Sequence, residues 1–421
     1  MTAMTSTGLA ATAPATDHPQ QWPVYDGQAV ARATDLIRAG RTFDYRHGPE
    51  IAEIEQLFSD HLDGRHVLAV NSGTSALLAA YYVLGLGPGD EVLVPSLTFL
   101  ATASPLFVLG ATPVLCDSGS ANGNVTVASL AERITSRTRA IAVTHLFGHP
   151  CPMAEIAQLA RERSLALIED CSHAHGSTID GVPVGTFGDL AVFSIGGLKL
   201  VSGGMGGVLA CRDTRHYDLA CLLSSFRQRS NLTVHDPALR RLADVGLGGN
   251  LRISPVAAVL ASSHMRRLDA LVRAKHHNAT ALVTALSTHP GIEGLGVAAG
   301  HTMGGWYDIV LRVDPLRAGF DRDDLVAALK RHGVRAGVPQ TAPLHRTSVF
   351  TGARPPTWHA YSPATLRRCF TYAPEDLPVS ARLHDEWISL PATYFNEPQE
   401  DLLGAYRRAA ERALSDLAAT R

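Results

Sequence analysis

Lysine is scarce in this chain. Lys and Arg together number 37, and only Lys199, Lys275 and Lys330 are lysines. A guanidinium cannot replace a lysine that must act as a neutral amine. Lys199 sits in Phe193-Ser194-Ile195-Gly196-Gly197-Leu198-Lys199-Leu200-Val201-Ser202-Gly203-Gly204-Met205-Gly206-Gly207. Apolar residues and glycines around a lysine favour burial, which disfavours the ammonium and leaves the nucleophilic amine that imine chemistry requires. Lys275 and Lys330 fall in helical patterns beside Arg and His and read as surface residues. Asp170 closes the apolar run 166–170. A carboxylate there can pair with a protonated ring nitrogen or a ribose hydroxyl; it can equally cap a helix or satisfy the core. Asn71-Ser72-Gly73-Thr74-Ser75-Ala76 separates an apolar run from a helical pattern. Small residues at a helix N-terminus can cradle a phosphate, and they also serve as an ordinary N-cap.

These residues need a scaffold that brings them together. Apolar runs of four to six residues at 66–70, 91–94, 112–116, 140–145 and 165–169 read as strands. Helical spacing at 51–62, 75–84, 101–109, 127–134 and 153–162 alternates with them. This rhythm predicts an α/β fold with a mostly parallel mixed sheet in three layers. Right-handed crossovers then align the strand C-termini along one edge, where ligands bind. Runs 190–195 and 207–211 are joined by glycines without a helix, which predicts a hairpin or antiparallel edge. A long helical pattern over 255–286 leads to a strand at 308–313 and helices at 323–332 and 399–417. The organisation expected is a disordered leader over 1–20, a large domain over 21–265 and a smaller α/β domain over 266–421.

The 421 residues are 46% apolar and 18% charged, with a formal net charge of −2. That composition is globular, and no broad basic face exists for nucleic acid or an anionic membrane. Pro95, Pro105 and Pro113 interrupt the longest apolar stretch, which excludes a membrane span there. Six cysteines without a CxxC pair fit free thiols in a reducing cytoplasm.

A phosphate cradle, an acid for a ring nitrogen and a lysine for an imine are together the three contacts that pyridoxal 5'-phosphate requires. The ordered motifs resemble the DegT/StrS family of sugar and cyclitol aminotransferases, of the aspartate-aminotransferase fold type. They are 71–77, 94–102 (Val94-Pro95-Ser96-Leu97-Thr98-Phe99-Leu100-Ala101-Thr102), 168–176, 193–207 and 248–253. The resemblance implies that Lys199 holds the cofactor as an imine and shuttles the substrate proton, while Asp170 pairs with the pyridine nitrogen. It implies that Phe99 stacks on the ring and that Gly73, Thr74, Ser75 and Ser194 hold the phosphate. It also implies that Asn250 reaches the neighbouring subunit's cofactor, so that active sites are shared in a homodimer. His173 stands where many members have Gln near the phenolic oxygen, and it can donate the same hydrogen bond. Met205 replaces a Glu of the glycine loop, and Gly249 replaces a Tyr. Gln340-Thr341-Ala342-Pro343-Leu344-His345 partly matches a substrate-side motif, which makes His345 a candidate substrate contact, with an exposed loop histidine as the alternative.

The activity this implies is transfer of an amino group from L-glutamate or L-glutamine to a keto-sugar, keto-cyclitol or related ketone. That places the chain in natural-product or glycan biosynthesis. A pyridoxal phosphate enzyme performing decarboxylation or β/γ-replacement, or a non-catalytic binding homologue, is the alternative. Cys171, His173 and His175 alternate, with His145 and His149 nearby, but no complete metal-ligand spacing results, so no metal is expected.

Overall fold

The computed structural model describes residues 22–119, 121–353 and 361–419. The leader expected over 1–20 lies outside them. The strands in chain order are β1 (His66–Val70), β2 (Glu91–Pro95), β3 (Thr112–Cys116), β4 (Thr138–Thr144), β5 (Ala166–Asp170), β6 (Thr178–Ile179), β7 (Val182–Pro183), β8 (Leu190–Ser194), β9 (Gly207–Cys211), β10 (Ile292–Gly294), β11 (His301–Thr302), β12 (Ile309–Val313) and β13 (Trp387–Leu390).

Seven strands form the central sheet in the order β1-β9-β8-β5-β4-β2-β3. Strands β8, β5, β4, β2 and β3 are parallel, as continuous apolar runs between helices require. Strand β9 runs antiparallel to both β8 and β1, so the Gly-rich link does make the hairpin. Both sheet faces are covered. Leu190 and Val192 of β8 pack into one apolar cluster, and Ala191 and Phe193 pack into the other. This is the alternation a strand imposes.

Register places the chemistry. Ser194 pairs with Gly207, which pairs with Val70. Asp170 pairs with Val192 on one side and Thr144 on the other. The strand ends carrying the phosphate turn, Asp170 and Ser194 therefore share one edge.

The pattern over 255–286 divides into Pro255–Arg266 and Leu268–Leu286, breaking at Arg267 (φ −104°, ψ 9°). The second helix packs with Arg322–Arg331, Glu400–Ala419 and the β10-β12-β13 sheet around a separate core. Leu344, Phe350, Leu366, Phe370 and Leu377 return to the first core, where the Tyr372 hydroxyl accepts from Leu115 N at 3.1 Å. No helix among the described residues is long and apolar enough to cross a membrane. All six cysteines are buried and unpaired.

Candidate active site

The helix Gly73–Val83 begins at the end of β1, capped by the Ser72 hydroxyl, which accepts from Ser75 N at 3.0 Å. The N-cap reading of this turn is therefore true. It does not exclude an anion, because one side-chain acceptor satisfies only one of the free N–H groups. A side chain at Gly73 would put a Cβ 2.8 Å from the Cβ of Ser194, and one at Gly207 would collide with the Ser72 carbonyl. Both glycines permit close approach between the helix start and the β8–β9 hairpin.

A cavity of about 500 Å³ opens at this junction, within the ligand-pocket range. Gly73, Thr74, Phe99, Asp170, His173, Ser194 and Lys199 line it. Of the other residues expected at the site, Ser75 lies just behind the wall, its hydroxyl accepting from that of Ser72 at 2.9 Å. Asn250 is exposed and does not line the cavity of its own chain. His345 is fully buried, neither at the cavity nor in an exposed loop, and its Nδ1 lies 2.7 Å from Ser96 Oγ. Gln340 and Thr341 of the same segment line the cavity instead.

Asp170 is held from two sides. Its Oδ2 accepts from Thr102 Oγ1 at 2.8 Å and its Oδ1 from Ser172 N at 3.1 Å. The Thr98 hydroxyl lies 2.8 Å from those of Thr102 and Thr144. Thr102 gives its only proton to the carboxylate, so counting assigns Thr144→Thr98→Thr102→Asp170 as one polarised chain.

Lys199 is half-buried. Desolvation lowers its pKa from 10.5 to about 8, against the opposing pull of Asp170 and Asp308. Its Nζ sits 3.9 Å from the centre of the Tyr307 ring. Tyr307 in turn stacks on His173, centroids 4.0 Å apart at 2°. Burial and the neighbouring Lys199 push the His173 pKa well below its usual value, so the ring is neutral. Its Nδ1 accepts from Phe147 N at 3.4 Å, which leaves Nε2 as the donor. The loop carrying Lys199 is pinned from behind. Trp22 Nε1 donates to the Lys199 carbonyl at 2.7 Å, and Ser202 N donates to His264 Nδ1 at 3.1 Å.

The expectation that Lys275 is a surface residue is overturned: it is 1% exposed. Leu268, Leu271, Lys275, Asn278, Ala279, Leu282 and Leu286 form the inward stripe of their helix, so its register buries Lys275. Lys330 is exposed as expected. Thr102, Ser172 and Tyr307 were also missed. Thr102 and Ser172 carry no signal beyond lying within recognised motifs, and Tyr307 is 108 positions beyond Lys199. His145, Glu169 and Cys171 are close enough to suggest a metal site. The Glu169 carboxylate, however, already accepts from His145 Nε2 and from Gly185 N, Phe187 N and Gly188 N.

Residues 26–400 match the DegT/DnrJ/EryC1/StrS aminotransferase family. The chain belongs to that family. It is therefore an aminotransferase, and its family works with pyridoxal phosphate. It is 34% identical over 255 residues to a GDP-perosamine synthase of Escherichia coli O157:H7, covering 60% of this chain and 68% of that one. It is 38% identical over 222 residues to a GDP-perosamine synthase of Caulobacter vibrioides, covering 53% of this chain and 58% of that one. The second match thus spans a little over half of that relative. The crystal structure of 3-amino-5-hydroxybenzoic acid synthase superposes with TM-score 0.78 at 26% identity, over 96% of this chain and 99% of that one.

The aminotransferase's own residues fit the cofactor. A side chain at Gly73 would fill the approach to Ser194. Asp170 is a buried carboxylate at the cavity floor, and Phe99, 63% exposed, offers a free aromatic face at the mouth. Asp170, Ser194, Lys199, Phe99, His173 and the Gly73–Thr74 turn would hold pyridoxal phosphate.

Proposed function

We propose that this aminotransferase holds pyridoxal 5'-phosphate on Lys199 and moves an amino group from L-glutamate or L-glutamine to a keto-sugar, keto-cyclitol or related ketone. The observation that carries the reading is the convergence of the Lys199 amine and the Asp170 carboxylate on one cavity whose wall is the Gly73–Ser194 junction. The keto-sugar class is supported by relatives named for perosamine, aminoarabinose and aminodeoxyglucose synthesis.

The bound cofactor supplies an electron sink when a C–H bond beside the transferred nitrogen breaks. The chain does the rest. Asp170, oriented by Thr102 and Ser172, keeps a proton on the ring nitrogen. His173, a neutral donor at Nε2–H, would hold the phenolic oxygen. Backbone N–H groups of the helix start, with the Thr74 and Ser194 hydroxyls, bind the phosphate. Lys199, with its pKa near 8, can both take and return a proton around neutral pH.

Asn250 is exposed, yet its segment is strapped to the phosphate turn. Leu251 O accepts from Asn71 N at 2.7 Å, and Arg252 bridges Val70. Phe99 and Met205 are exposed around the cavity mouth. These features support a homodimer in which Asn250 serves the neighbouring site. Six buried free thiols support a cytoplasmic, reducing location.

Purified protein with pyridoxal phosphate should show the visible absorbance of a lysine-linked cofactor and lose it in Lys199→Ala. Adding L-glutamate or L-glutamine should yield pyridoxamine phosphate without CO2. Full turnover by Lys199→Ala, or CO2 release in step with substrate loss, would overturn the proposal.

A further inference from the structure

The loop that carries Lys199 does not hold itself. Between β8 and β9 the chain forms no helix or strand. Gly197 (φ 47°) and Gly204 (φ 77°) take left-handed conformations there, and such residues leave a loop many alternatives. The neck of the loop is closed from within. Gly203 N donates to Ile195 O at 2.7 Å, Gly197 N to Gly204 O at 2.8 Å, and the Ser202 hydroxyl to Gly197 O at 2.7 Å. The tip is not. Among the described residues, the one hydrogen bond that the Lys199 carbonyl accepts comes from outside the loop, from Trp22 Nε1 at 2.7 Å.

Trp22 is 3% exposed and does not line the active cavity. Its ring is fixed by His264, which is fully buried. The Trp22 and His264 rings stack with centroids 4.4 Å apart at 25°, and Tyr25 stacks on the same imidazole at 4.9 Å and 16°. Two rings this close cannot share one face, so His264 is sandwiched between them. Its Nε2 lies 2.9 Å from the Val24 carbonyl, which can only accept, so Nε2 carries the proton. Its Nδ1 accepts from Ser202 N at 3.1 Å. The segment 22–25 therefore reaches the loop at two points, Lys199 through Trp22 and Ser202 through His264. Asp26 follows and caps the helix Gly27–Arg38, whose Ala29 and Leu36 pack on Val259 of the same helix that carries His264.

We propose that Trp22 and His264 are positioning residues for the aminotransfer reaction: together they fix the peptide of Lys199 and so aim its amine into the active cavity. This rests on the assignment of Lys199 above. A lysine side chain loses much rotamer freedom when its amine is held in one place, and a backbone root free to turn adds to that cost. Trp22 removes the added part by holding the carbonyl of the same residue. His264 holds Trp22 by its ring face and the far side of the loop by its Nδ1. Neither side chain needs to meet the cofactor or a substrate to do this.

The test is a double-mutant cycle with Lys199. Trp22→Phe keeps an aromatic ring against His264 and removes the N–H. A lost neutral hydrogen bond corresponds to about three- to tenfold in an equilibrium constant. Equilibrium dialysis of the full-length protein should therefore show pyridoxal 5'-phosphate affinity falling about three- to tenfold in Trp22→Phe. In the Lys199→Ala background no amine remains to be aimed, and the same substitution should change affinity less than about twofold. On cofactor-loaded protein given L-glutamate or L-glutamine, kcat of the donor half-reaction should fall about tenfold with KM within about twofold, because a misplaced proton carrier slows the step without touching the donor. His264→Phe keeps a stacked ring, removes both imidazole hydrogen bonds and should give the same pattern; it decides the question should Trp22→Phe not fold. Equal losses of affinity in both backgrounds, unchanged affinity with Lys199 present, or a loss carried by KM alone would each overturn the proposal. A wild-type protein that shows no visible absorbance beyond that of Lys199→Ala would overturn the assignment of Lys199, and this proposal with it.

Discussion

Replacing Thr102 with valine tests how the acid of the site is held. Thr102 is fully buried, and its hydroxyl is the one side-chain donor to Asp170, at 2.8 Å. Valine keeps the shape and removes the hydroxyl. The carboxylate retains only the Ser172 N–H, and the Thr98 hydroxyl loses an acceptor. A hydrogen bond to a charged group contributes about 1.5–3 kcal/mol, and a stranded buried donor adds to the loss. Thr102→Val should therefore cost about 2 kcal/mol, roughly thirty-fold in the folding equilibrium. The assay is urea unfolding of the cofactor-free protein, with Thr102→Ser as the control that keeps the hydroxyl. In the Asp170→Asn background the acceptor is neutral, so the same substitution should cost about 1 kcal/mol less. A cost below about 0.5 kcal/mol, or an equal cost in both backgrounds, would show that the threonine chain does not support Asp170.

Three further outcomes follow from the same geometry. Gly73→Ala should weaken pyridoxal phosphate binding about ten- to a hundred-fold by equilibrium dialysis, because its Cβ would meet Ser194 and overpacking costs about 1–3 kcal/mol; unchanged affinity would separate the Gly73–Ser194 contact from the phosphate site. Stability should fall as pH drops from 6.5 toward 4. Burial depresses the His264 pKa from 6.5 to about 4 in the folded chain, so the unfolded chain binds the extra proton in that window. This one group should remove on the order of 3 kcal/mol across it, and a urea midpoint flat from pH 6.5 to 5 would refute this role. Phe99→Ala should retain the visible absorbance while weakening cofactor retention, since its ring face is a cavity wall and not a covalent partner.

What the sequence revealed was local. The strands ending at Val70 and Asp170 are runs bounded by turn residues, so their ends, and the residues on them, could be placed by counting. The glycines around Lys199 reported the hairpin for the same reason. His345 was a harder case: a motif of six residues was legible, but not which of its members faces the cavity. The chain enters the site at Gln340 and Thr341 and turns under it, so that His345 meets Ser96. The break at Arg267 was hidden because apolar spacing continues on both sides of it.

Lys275 shows where counting could have gone further. Its neighbours Arg273, His276 and His277 suggest a solvated face, yet the period set by Leu268, Leu271, Leu282 and Leu286 puts Lys275 on the apolar stripe. A long amine can leave such a stripe by extending its head to water. Here it does not, since Lys275 is 1% exposed. A charge kept inside against that option needs a counter-charge, and none lies on its own helix stripe. The carboxylate whose charge opposes its desolvation is Asp308, 33 residues on, next to the Tyr307 that covers Lys199. Burial of a second lysine is costly at any site in a core.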